Sequence, residues 1–209
     1  ITRRLARLGI DPATHVVVVG NGKDGEGQEG RVAWMLSYLG IDNVQFTKIS
    51  TLDPRFTNSA EANGPKSVAM WKPEPMPSLV VTRDELRFAI NERGAEKPIS
   101  YKSAPPRLYK ILDTREERDY LGKEGFGAKT NVPNMDAVNV PWKQFVDDSL
   151  RPVPAIEAKL KAVGITEDCR IIVLDQDGVA SSAVPMVLRS MGYDHAGNYS
   201  GGLQDLLSR

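Results

Sequence analysis

Cysteine and histidine are nearly missing from this chain: one Cys, Cys169, and two His, His15 and His195. A single thiol excludes an intrachain disulfide and any cysteine-rich zinc site. Charge of one sign is missing too, since 27 Lys and Arg face 27 Asp and Glu. A nucleic-acid or anionic-membrane partner usually leaves a basic surplus, so neither is expected. No apolar run reaches the roughly 18–20 residues of a membrane span. No leader is visible, and the start at Ile1 without Met leads us to expect further residues upstream. What is present is a 41% hydrophobic fraction in 209 residues, enough to bury one large core or two small ones.

The chain repeats itself. Leu5–Asp11 is echoed by Leu160–Thr166, and each copy runs into an apolar strand pattern, His15–Gly20 and Arg170–Asp175. A loop rich in Gly and Asp follows each strand, then a helical segment, Arg31–Gly40 in one copy and Ser181–Gly192 in the other. Both helices end on a Gly suited to a left-handed C′ position. A further short strand comes next, near Val44–Phe46 and Ala196–Tyr199. Uninterrupted apolar strands alternating with helices predict α/β structure, with parallel strands covered on both faces. Two similar domains are expected, over 1–96 and 97–209.

Between the copies, the Pro-rich Pro54–Pro77 reads as an extended connection over the surface. Thr82 is positioned as an N-cap with Glu85 as its capping-box partner. Residues Lys97–Pro106 form a second connection. Lys110–Asp113 and Ala137–Pro141 read as strands, and Arg115–Leu121 as a short polar helix. Pro185 limits or kinks the start of the second helix. Trp71 and Trp142 stand beside prolines and are suited to pin those segments down.

The ordered set resembles the tandem rhodanese (thiosulfate sulfurtransferase) family. Leu112–Gly122 is similar to that family's first strand and helix, Ala137–Trp142 to the end of its GHIPGA…VP segment, and Tyr199–Leu206 to its closing segment. The first copy matches from Leu5 to about Phe46 and has no opening strand. The resemblance implies two rhodanese-like α/β domains, the first incomplete at its N-terminus. It also implies sulfur-transfer chemistry, no cofactor, and a periplasmic or extracellular address.

That chemistry needs a thiolate at the end of the strand, inside a loop of backbone N–H groups. The matching position is Asp175, in the loop Asp175, Gln176, Asp177, Gly178, Val179 and Ala180. In the first copy it is Gly20. A carboxylate cannot carry a sulfane sulfur, but it can accept the loop's N–H bonds. We expect this nest to lower the pKa of Asp175. The family's GHIPGA reads Asn131–Ala137 here, without His. Asp119 stands where a substrate-side Arg is common, leaving Arg115 and Arg118 as candidate substrate ligands. Cys169 lies six residues before Asp175, on the order of 20 Å along a strand, and reads as an inert thiol.

Asp175–Gln176–Asp177 after a strand also resembles the first motif of haloacid-dehalogenase-like phosphatases. No Lys follows Asp177, and only Asp194 and Asp205 add later acids, so that reading falls short. Two carboxylates are too few for a metal. The Gly20–Gly30 stretch lacks the Gly-Lys-Ser/Thr ending of a phosphate loop and reads as a flexible surface loop. His15 and His195 cannot be paired with a nucleophile. The expected function is a catalytically inactive sulfurtransferase homologue that binds a protein partner, with Pro54–Pro77 and Gly20–Gly30 as contact surfaces. The alternative is a sulfurtransferase working with a partner's thiol.

Overall fold

The computed structural model describes residues 1–57, 66–91, 108–125 and 131–208. The chain opens with α1 (Thr2–Arg7), β1 (Val16–Gly20), α2 (Gln28–Tyr38), β2 (Val44–Lys48) and a short α3 (Pro54–Thr57). After the connection come α4 (Arg83–Asn91), β3 (Leu108–Asp113), α5 (Glu117–Tyr120) and β4 (Val138–Asn139). The closing run is α6 (Ile156–Ala162), β5 (Cys169–Leu174), α7 (Ala183–Ser190), β6 (Ala196–Asn198) and α8 (Gly202–Leu207). This is α/β structure with parallel sheets flanked by helices. β1 pairs with β2, and a second sheet has the order β4-β3-β5-β6, every pairing parallel.

β5 shows why the apolar run works. All six of its residues are buried. Its side chains alternate across the sheet. Ile171 and Val173 enter one cluster with Phe145, Leu160, Val184 and Leu188, while Ile172 and Leu174 enter another with Leu86, Ile111, Tyr199 and Leu203. Each such side chain contributes roughly 1.5–3 kcal/mol by leaving water.

β1 is written in similar letters but is not covered on both faces as expected. Val17 is 45% exposed and Val19 38%. A run of valines dictates extended backbone; it does not dictate how many layers will cover it. The helix ends follow expectation: Gly40 and Gly192 hold φ +93° and +95° just past α2 and α7. Pro185 is accommodated in the first turn of α7, behind a 3-10 turn over Ala180–Ser182, where its missing N–H is harmless.

The Pro-rich connection begins as the short α3; its residues 58–65 and all of Lys97–Pro106 lie outside the described residues. Farther on it runs along the first helices. Val68 N–H donates to the Ala6 carbonyl (2.9 Å), Trp71 Nε1 to Ile10 (2.9 Å), and Met76 N–H to Tyr38 (2.9 Å). Trp71 is therefore a pin, as expected. Thr82 Oγ1 accepts the Glu85 N–H (3.1 Å) at the start of α4. Glu85 does not complete a capping box: its carboxylate pairs with Arg170 Nε at 2.8 Å. Arg170 is fully buried and also donates to the carbonyls of Ser78, Val80 and His195. A buried guanidinium demands such partners, and this demand outweighs the local cap. Among the described residues no helix is long and apolar enough to cross a membrane.

Candidate functional site

Asp175 follows β5 directly, at the carboxyl ends of the parallel strands where α/β sheets present ligand sites. Its Oδ1 accepts N–H bonds from Asp177 (3.1 Å) and Gly178 (2.5 Å), and its Oδ2 one from Ser181 (2.8 Å). The loop is held from below as well. Leu203 and Gln204 at the start of α8 donate to the carbonyls of Asp175 and Gln176, both at 2.9 Å. Asn198 Nδ2 donates to the Gly178 carbonyl (3.0 Å), and the Ser181 hydroxyl pairs with Asn198 Oδ1 (2.7 Å). Gly178 has φ +81°, and a β-carbon there would lie 2.2 Å from the Ser200 carbonyl oxygen. Only glycine fits. Asp177 accepts the Val179 N–H (3.0 Å) on the exposed rim, and Ala180 packs against the core.

The nest forms as expected, but its electrostatic outcome is the reverse. Burial pushes the Asp175 carboxyl above the ordinary carboxylate range, and the charge of Asp177 adds to the rise. The Ser181 and Gly178 amides pull downward without overcoming it. Asp175 is only 5% exposed, so lost hydration costs more than the bonds return.

The first copy's loop is not the flexible surface segment expected. Gly22, Gly27, Glu29 and Gly30 are buried. The Glu29 carboxylate accepts the Gly22 N–H (3.0 Å) and lies beside Gly20. The two loops meet: a β-carbon on Gly27 would lie 3.0 Å from Ala180 Cα, and one on Gly30 2.4 Å from Ala183 Cβ. Across this seam Arg31 Nη1 donates to the Gly178 carbonyl at 3.0 Å.

The candidate substrate arginines go elsewhere. Arg115 is buried in a two-pronged pair with Asp113, with Nη2–Oδ2 at 2.6 Å, and turns its other edge to the Asp119 carbonyl. Arg118 is exposed and pairs with Glu124 (2.9 Å). Cys169 is buried at the far end of β5, beside Thr166 N–H and Oγ1 at 3.5 Å and the Gly164 carbonyl. His15 is exposed; burial beside Arg170 lowers the pKa of His195. Among the described residues no group of three or more His, Cys, Asp or Glu converges as metal ligands do.

A strand ending in a nest of amides under a helix N-terminus is a rhodanese feature, and the family model of the rhodanese-like domain matches residues 100–208. The chain belongs to the rhodanese-like family. It is 25% identical over 201 residues to a thiosulfate sulfurtransferase of Azotobacter vinelandii, covering 93% of this chain and 67% of that one. Two solved rhodanese-type structures share its fold. The Tum1 protein of Saccharomyces cerevisiae has a TM-score of 0.70 at 17% identity, over 97% of this chain and 69% of that one. The 3-mercaptopyruvate sulfotransferase SseA of Escherichia coli has 0.65 at 18% identity, over 96% and 71%. In this rhodanese-like chain, sequence reasoning located the Asp175 loop but missed Glu29, Arg31 and Asn198. A signal for the first two existed: glycines at 27 and 30, three apart at a helix start, mark a close approach.

Proposed function

We propose that this rhodanese-like protein does not transfer sulfur, that it consists of two rhodanese-like copies of which neither keeps a nucleophile, and that it serves as a binding or structural module for a protein partner. One observation carries the reading: a carboxylate, Asp175, occupies the end of β5 and takes three of the loop's N–H bonds itself. Sulfur transfer requires an atom that accepts a sulfane sulfur, holds it as a persulfide and releases it to an acceptor. A carboxylate oxygen does none of these. The Asp177 charge beside it further disfavours an anionic donor such as thiosulfate. Gly20 in the other copy supplies no side chain, and Cys169 is buried away from the loop. The Gly20–Gly30 loop is spent on the seam between the copies, which leaves the Pro-rich segment after residue 66 as the surface for a partner.

The test is thiosulfate-to-cyanide sulfur transfer by wild type beside Asp175→Cys. Silence from wild type with activity gained by Asp175→Cys is the expected pair of results. Turnover by wild type overturns the proposal.

A further inference from the structure

Arg31 belongs to one copy and works on the loop of the other. It stands in the first turns of α2, and its Nη1 donates to the carbonyl of Gly178, the residue whose N–H caps Asp175. Its guanidinium carbon lies 4.7 Å from the centroid of the Trp34 ring, one turn on, so the cation is supported from the side. Trp34 is itself fixed by a bond from Nε1 to the Leu79 carbonyl (2.9 Å). The absence of a β-carbon on Gly30 lets α2 sit against Ala183 and brings Arg31 within reach. The charges that act on Arg31 are those of Asp175 and Asp177. The Asp175 side chain is 5% exposed, so its carboxylate fills a buried position between loop amides and a cation.

We propose that Arg31 is the anion-selecting residue of the Asp175 loop, contributed by one copy to the site of the other, and that the loop relieved of its own carboxylate takes small oxyanions of the sulfate and thiosulfate class. This rests on the reading of Asp175 as an internal cap. The amides give the position its shape, but amides alone accept many electron-rich groups. A guanidinium adds a full charge and a second donor edge, which favours dianionic oxygens over neutral ones. In wild type Asp175 and Asp177 answer that charge, and the position is closed.

The experiment is calorimetric titration of sodium sulfate and sodium thiosulfate into Asp175→Ala, into Asp175→Ala with Arg31→Gln, and into Asp175→Ala with Arg31→Lys, with wild type alongside. Wild type should show no binding. Asp175→Ala should bind both anions; adding Arg31→Gln should weaken binding about tenfold or more, and Arg31→Lys should keep part of it. A folded Asp175→Ala that binds neither anion overturns the proposal, as does equal affinity with and without Arg31. Far-UV circular dichroism checks each fold, and Asp175→Ser replaces Asp175→Ala if the alanine variant is unfolded. Turnover by wild type is a separate measurement, so a working enzyme sinks the proposed function and missing anion affinity sinks only this one.

Discussion

Glu29 and Gly20 each leave room for the other: Glu29 Oε2 lies 2.3 Å, and Glu29 Cβ 2.9 Å, from where a β-carbon on Gly20 would stand. The two copies thus bring a carboxylate to their loops by opposite routes. In the second copy it grows from the strand end, as Asp175. In the first it descends from the helix, as Glu29, onto a strand end that has been stripped to glycine.

Gly20→Ala should therefore destabilise the protein by about 1–3 kcal/mol, because a buried Glu29 has little room to withdraw. Glu29→Ala in the same chain should recover part of that loss. Urea unfolding of both single variants and the double variant gives the coupling, and simple additivity would refute the contact.

Arg170→Met should cost about 3–5 kcal/mol, since it strands the Glu85 carboxylate and three carbonyls that Arg170 now satisfies. The unfolding midpoint is the readout. A loss below about 1 kcal/mol would mean that water replaces the guanidinium.

Asp175 should make stability fall as pH rises. Its folded pKa lies above the ordinary value of about 4. Between that value and the raised one, the native state binds more protons than the unfolded chain, so stability is full below the window and declines through it. Asp175→Asn should flatten this part of the pH profile in chemical denaturation. Parallel profiles for wild type and variant would contradict the shift.

Cys169 should resist Ellman's reagent in the native protein and react as one equivalent in urea, because it is 3% exposed. Prompt native labelling would show that the end of β5 opens readily.

Much of this was legible in the letters. The repeated strand, loop, helix and terminal glycine gave α/β structure and parallel strands, and the position after β5 gave the loop at Asp175. What the letters withheld depends on neighbours. Val17 and Val19 look like Ile172 and Val173 until the number of covering layers is known. The amides around Asp175 could be anticipated, but the depth of its burial, which reverses the sign of its shift, could not. Glu29 and Arg31 looked like ordinary charges of a helix start. Their roles follow from the meeting of two helices at glycine, a fact about tertiary packing.

That meeting has a mechanical side. At Gly27 and Gly30 nothing but backbone stands between α2 and the turn and helix at Ala180 and Ala183, so neither element can slide or roll without atoms colliding. Clefts between lobes often admit large molecules by swinging open on a hinge. Here the same place is a weld. Solutes must come to the loop along the rim where Asp177 is exposed, past a fixed negative charge, and the protein has no gate to lift for them.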